Sequence, residues 1–214
     1  LSNFEERTLD WRSRHDSRSK DYPIRSIINQ KDIEVKSVYW KEGTILDQGR
    51  EGACVGFAWT GELLTGPVAP KQQPSEELGN SLALSYYKRA QKIDQWPGED
   101  YEGTSVLAGA KIMQQEGFID SYRWCFGVRD VRDTLLTVGP VVIGVPWHSG
   151  MYSTGRGGLV RVTGSNVGGH ALVLTGYDPN FRATPGGRTY EVFRWRNSWG
   201  SDYGVDGSGY YQVQ

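Results

Sequence analysis

The chain has 214 residues, with 24 Lys plus Arg against 25 Asp plus Glu, for a formal net charge of −1. That length suits one large domain or two small lobes sharing a cleft, and the balanced charge gives no electrostatic case for nucleic acid or an anionic membrane. The longest apolar runs, such as Val141-Val142-Ile143-Gly144-Val145, are too short to span a bilayer. No stretch reads as a secretory signal, and Cys54 and Cys125 cannot build a disulfide framework. Low cysteine usage favours a reducing, cytoplasmic compartment.

Residues 1–21 are polar and of mixed charge, with Glu5, Glu6, Arg7, Arg12, Arg14, Arg18 and Lys20. They read as an exposed, solvated arm or as a tail that binds an assembly partner. They are too short to form a folded inhibitory pro-segment. Residues 22–214 are assigned to one folded unit, with a left lobe at about 45–128. The right lobe takes about 129–214 plus part of the N-terminal segment.

Helical signals fill the first half. Val55, Ala58, Trp59 and Leu63 recur at helical spacing from Cys54 to Leu64, and Gly66-Pro67 ends the run. A second helix is expected from Asn80 to Lys92, with Leu82, Tyr86 and Ala90 on one face. Ser105 can cap a third that runs to Glu116 and stops at Gly117. Residues 66–79 and 93–104 read as Pro- and Gly-containing loops.

Strand signals fill the second half. Val141–Val145 and His170–Tyr177 are apolar on both faces, so both are expected to be buried. Thr189–Asn197 alternates: Phe193, Trp195 and Asn197 share one face, and Arg194 and Arg196 the other. Asp178–Arg188 reads as the hairpin loop between the last two strands. Helices followed by an antiparallel sheet make an α+β chain with two lobes.

The chemistry centres on Gln48-Gly49-Arg50-Glu51-Gly52-Ala53-Cys54. A thiol at the first turn of a helix faces unpaired backbone N–H groups and the positive end of the dipole, which favour the thiolate. Free cysteines are also common as small buried hydrophobes, so the neighbours must decide. His170 stands at the start of a buried strand and can act as general base and acid. A satisfied core histidine is the bland alternative. His15 lies in the polar arm, and His148 follows Pro146-Trp147 in a predicted loop. Asn197 can accept the second ring N–H of His170 and hold its orientation. Trp199 can cover that bond. Gln48 can donate to a developing oxyanion together with the Cys54 backbone N–H; otherwise it is a turn glutamine. The motif Asn-Ser-Trp-Gly by itself is a common turn composition.

These residues carry a resemblance. Asp47-Gln48-Gly49…Gly52-Ala53-Cys54…Phe57-Ala58, then Gly169-His170-Ala171…Gly176-Tyr177, then Asn197-Ser198-Trp199-Gly200…Tyr203-Gly204…Gly209-Tyr210 are similar to the papain-like cysteine peptidases. The similarity runs more weakly from about residue 40 to the C-terminus. It implies a helical left lobe and an antiparallel, β-barrel-like right lobe with the active-site cleft between them. It implies peptide-bond hydrolysis through a thioester acyl-enzyme, with Cys54 as nucleophile, His170 as base and acid, Asn197 as orienter and Gln48 in the oxyanion hole. Gly103 and Thr104, in Glu102-Gly103-Thr104-Ser105, would pair with substrate backbone, and Gly169 and Trp199 would line the same cleft. No cofactor and no metal are implied, and the partner is a peptide or protein substrate.

The departures are specific. Glu51 stands where a bridging cysteine often stands, Val55 replaces a common aromatic, and Gly169 replaces a common Asn or Asp. The His-to-Asn segment is long, and the C-terminal segment that helps floor the main specificity pocket in plant and lysosomal members is expected to be missing. The pattern is closer to bacterial or viral members, which adds a virion-associated location to the cytoplasmic one. Two other readings compete: a papain-fold binding or structural component with a weak or single-use site, and an acyl-transfer relative such as a transglutaminase or cell-wall amidase.

Overall fold

The computed structural model describes residues 4–13, 15–96 and 102–213. Arg14 of the polar arm and residues 97–101 of the expected 93–104 loop lie outside them. Four α-helices and six β-strands stand among the described residues. They are β1 (Val38–Tyr39), α1 (Cys54–Leu63), α2 (Glu76–Ile93), α3 (Val106–Gln115), α4 (Val128–Thr137), β2 (Val141–His148), β3 (Leu159–Val160), β4 (Asn166–Arg182), β5 (Thr189–Arg196) and β6 (Ser208–Gln212). The α+β reading holds, with helices α1 to α3 preceding the main sheet.

The helix α1 is buried from Cys54 through Gly61. A helix apolar on every side must sit inside the molecule rather than on it. It is flanked by α2 and α3. In α2, Tyr86, Tyr87, Ala83 and Ala90 face inward. The Ser75 hydroxyl accepts from the Leu78 N–H at 3.3 Å, and Glu76 and Glu77 sit in the positive first turn. That cap starts the helix four residues earlier than its apolar spacing predicts. Ser105 caps α3 as expected, accepting from the Ala108 N–H at 3.1 Å, and Gly117 follows with φ +75°, a left-handed stop.

The sheet runs in the order β1-β4-β5-β6-β3, with β2 pairing β4 as well. All pairings are antiparallel except β3 with β6. It does not close into a barrel among the described residues. The strand β4 is the long spine, and its bulges against β5 fall between Leu174 and Gly176 and between Asp178 and Phe181. The alternation in β5 is as expected. Phe193 and Trp195 enter the core, while Arg194 and Arg196 both reach the Glu42 carboxylate on the opposite side. Glu42 also accepts from Ser208 Oγ at 3.1 Å and from Thr175 Oγ1. One acidic side chain before α1 thereby ties β4, β5 and β6 together.

Two core clusters meet along α1 and β4. One joins Cys54, Val55, Ala58 and Trp59 to the inner faces of α2 and α3 and to Ala171 of β4. The other is aromatic, built on Trp147, Tyr177, Phe193, Trp195, Trp199 and Tyr203 of the sheet side. Cys54, at the start of α1, and His170, in β4, lie along this seam.

Candidate active site

Cys54 is the first residue of α1 and is fully buried. His170 lies opposite Val145 in β4 and is also fully buried. Its Nε2 lies 2.7 Å from Asn197 Oδ1. The same Oδ1 accepts the Ser198 backbone N–H at 2.8 Å. A backbone N–H can only donate, so the amide oxygen is the atom facing the ring, and Nε2 must carry the proton. His170 Nδ1 is therefore the basic nitrogen, and it is buried with no hydrogen-bond partner. Indoles cover the ring: Trp199 and Trp147 both lie 4.9 Å from it, centroid to centroid.

Gln48 is buried, and its side chain is fixed at both ends. Ser198 Oγ donates to its Oε1 at 2.7 Å, and its Nε2 donates to the Glu51 carbonyl at 2.8 Å and to the Thr8 carbonyl at 3.3 Å. The Gln48 backbone N–H donates to the Ser198 carbonyl at 2.9 Å. The glutamine loop before α1 and the Asn-Ser-Trp-Gly turn after β5 are thus bolted to each other, 150 residues apart in sequence.

The polar arm is not free. Residues 4–13, a short 3-10 turn at Phe4–Glu6 followed by irregular chain, form a strap that lies along the cleft, which corrects the expectation of an exposed arm for most of that stretch; His15 and most of residues 15–21 are exposed. Phe4 stacks on Trp199 at 5.7 Å and meets Tyr203 edge-on. Arg7 pairs with Asp47 and donates to the Gly49 carbonyl at 2.7 Å. Thr8 bonds the Arg50 carbonyl, and Arg50 pairs with Glu6. The Trp11 N–H donates to the Gly169 carbonyl at 2.9 Å, and the Arg12 N–H to the Thr104 carbonyl at 3.0 Å. The strap therefore pairs with Gly169 on the sheet side and with Thr104 on the helix side, in parallel bridges.

Glycines make room for it. A Cβ built on Gly103 would lie 1.9 Å from the Asp10 carbonyl oxygen, and one on Gly169 would lie 2.2 Å from the Trp11 carbonyl oxygen. Cβ atoms on Gly52, Gly144 and Gly168 would meet Asp10, Trp11 and Leu9 at 2.0, 2.0 and 2.8 Å. Five glycines thus pave one track, and any side chain on it would displace the strap. The sequence reading placed Gly103 and Gly169 in the cleft but gave no role to Gly52, Gly144 or Gly168 beneath the strap.

Burial under the strap sets the electrostatics. Desolvation pushes the Cys54 thiol up to about 11, against the pull of the Ala171 and Asp10 backbone N–H groups that point at it. Desolvation also pulls His170 down to about 4, opposed by its Asn197 bond. Both groups are neutral in this arrangement. That differs from the thiolate expected at a helix start, because the dipole is outweighed by loss of water. Thr8 holds the Gln48 donor while the Asp10 N–H points at the sulfur, so two different peptide groups occupy the two halves of the site.

Of the eight predicted residues, Asn197 bonds His170, Gln48 is tied to the turn after Asn197 through Ser198, and Cys54 faces the Ala171 backbone beside His170. Gly103, Thr104 and Gly169 touch the strap, and Trp199 roofs the imidazole. His148 ends β2 rather than sitting in a loop, and its Nδ1 is 3.2 Å from the Gly164 carbonyl, outside the site. Ser198 and Trp147 were missed. The first is visible only as a motif member, and the second only as a β2 residue that alternates inward with Val145. Among the described residues no cluster of His, Cys, Asp or Glu could hold a metal ion, and no helix is long and apolar enough to cross a membrane. Both cysteines are free.

No family model matches the chain, and no curated protein is similar to it in sequence. Solved structures are similar in fold. Xylellain, a cysteine protease from Xylella fastidiosa, gives a TM-score of 0.60 at 16% identity, covering 99% of this chain and 92% of that one. A digestive procathepsin L 3 of the Tenebrio molitor larval midgut gives 0.59 at 14%, covering 99% and 72%. A procathepsin B from Trypanosoma congolense gives 0.60 at 13%, covering 99% and 84%. The chain has the fold of the papain-like cysteine proteases.

Proposed function

We propose that the chain is a cysteine peptidase held in a self-occluded resting form by residues 4–13. The observation that carries this reading is the buried His170–Asn197 pair at 2.7 Å, which leaves Nδ1 as an unpartnered base on the strand beside Cys54. In the reaction, the Cys54 proton passes to His170 Nδ1, and the thiolate attacks a peptide carbonyl. The oxyanion takes the Gln48 Nε2–H and the Cys54 backbone N–H. The carbonyl re-forms as the C–N bond breaks, and the imidazolium gives its proton to the leaving amine. Water, deprotonated by the same nitrogen, then cleaves the thioester and restores the thiol.

The strap must leave first. Rehydration of the cleft removes the desolvation that keeps thiol and imidazole neutral, and the helix start then favours the thiolate. The free thiols suit a reducing compartment. The test is an epoxide inhibitor of thiol peptidases, with the adduct mapped by mass spectrometry and a peptide library assayed under reducing conditions. Labelling of Cys54 and turnover of peptides support the reading. Absence of both in a strap-weakened variant would leave a papain-fold binding component instead.

A further inference from the structure

Where the strap crosses Gly144, Trp11 lines a cavity of about 500 Å³. Its walls include Trp59, Val106, Val142 and Gly144, with Glu62 of α1 among them. Glu62 Oε2 is buried and has no hydrogen-bond partner. Desolvation alone pushes that carboxyl up to about 7, and no cation contributes to its environment. The two arginines that also line the cavity are engaged elsewhere. Arg12 lies over the Trp96 ring at 5.5 Å, and Arg123 lies over the Tyr22 ring and donates to the Tyr122 carbonyl.

A buried carboxylate oxygen without a partner is costly, and proteins seldom retain one with no use for it. The cavity has apolar walls for a shaft and one acidic group for a tip. A Lys or Arg side chain has that form, with apolar methylenes behind a cationic head. A peptide that replaces the strap and bonds the Gly169 carbonyl as Trp11 does would direct a side chain to the same opening.

We propose that Glu62 makes this cavity a subsite for a Lys or Arg side chain of the substrate, at the position the strap fills with Trp11. The inference rests on the peptidase reading for its substrate and on the cavity for its chemistry. Two contrasts test it separately.

The first uses the strap itself as ligand in the full chain. Trp11→Lys and Trp11→Met are compared, each with Glu62 and with Glu62→Gln, by the rate of Cys54 alkylation with iodoacetamide. The expected result is alkylation about tenfold slower for Trp11→Lys than for Trp11→Met when Glu62 is present, and equal rates with Glu62→Gln. The second uses Trp11→Ala to loosen the strap. Peptides carrying arginine are compared with those carrying citrulline, its uncharged isostere. The arginine preference in kcat/KM is expected to fall about tenfold on Glu62→Gln.

Peptides cleaved with no Glu62-dependent arginine preference would overturn the subsite and leave the peptidase reading standing. No cleavage alongside a Glu62-dependent alkylation contrast would sink the peptidase reading and leave a cation-accepting pocket. Loss of both would sink both.

Discussion

The Trp11 backbone N–H donates to the Gly169 carbonyl at 2.9 Å, one residue from the imidazole of His170. This contact puts the strap on β4 itself, beside His170. It uses main-chain groups, so its strength depends on close approach rather than on side-chain chemistry, and the Trp11 indole adds apolar area beside it. Trp11→Ala should remove roughly 2 kcal/mol of docking free energy. That raises the open population about thirtyfold. The measurement is the rate of Cys54 labelling at fixed pH, and an unchanged rate would place the barrier to access elsewhere.

Asp10 makes docking pH-dependent. Its carboxyl lies against Gly52, and burial, with Glu102 beside it, raises it from 3.8 to about 6, with Arg12 opposing. The docked strap therefore binds the proton more tightly than the free strap. Docking gains this contribution fully below the free value near 3.8 and loses it as pH rises through about 6. Asp10→Asn stays neutral at every pH. Wild type should label faster than Asp10→Asn above pH 6 and equally below pH 4. The reverse order would contradict the sign.

Gln48 is held by Ser198, Glu51 and Thr8 in the resting form, so its geometry is set before substrate arrives. Gln48→Ala should lower kcat by about 10²–10³ in a strap-weakened background, with a smaller change in KM. A change confined to KM would show that Gln48 binds the ground state only.

Asn197→Ala leaves the buried His170 Nε2–H without an acceptor, a penalty of about 1–3 kcal/mol. It frees the ring to turn. The expected fall in kcat is about ten- to hundredfold, with Cys54 still alkylated by iodoacetamide. Loss of alkylation as well would mean a collapsed fold.

Glu42→Ala tests the scaffold rather than the chemistry. It strands Arg194 and Arg196 beside the sheet with no carboxylate, and breaking a buried pair this way costs about 3–5 kcal/mol. The readout is the midpoint of denaturant unfolding. Glu42→Gln should recover part of the loss, because its amide oxygen can still accept from Ser208 Oγ and one guanidinium.

Much of the fold was legible because its signals are local. The Ser105 cap, the Gly117 stop and the alternation of β5 each follow from a few neighbouring residues. The helix α4 was not read from the sequence, although Val128, Val131 and Leu135 recur at helical spacing, because its buried face also carries Asp130 and Asp133. Asp130 accepts the Phe126 N–H at 2.8 Å and pairs with Arg25, partners that only the fold supplies. The candidate site's Gln48, Cys54, His170 and Asn197 were singled out by their motifs, and the fold brings Gln48, His170 and Asn197 together through Ser198. The strap was not legible. Its composition is that of a solvated tail, and its partners, Asp47, Thr104, Gly169 and Trp199, lie far off in sequence, over a track that five distant glycines keep clear.

That bare track has an evolutionary consequence. On the proposed reading, the strap and a substrate peptide would share one glycine-paved floor, so a new side chain there would evict the first and obstruct the second together. If the strap is a guard, its grip can be tuned at its own side chains and at non-glycine partners such as Asp47 and Trp199, but not on the glycine floor.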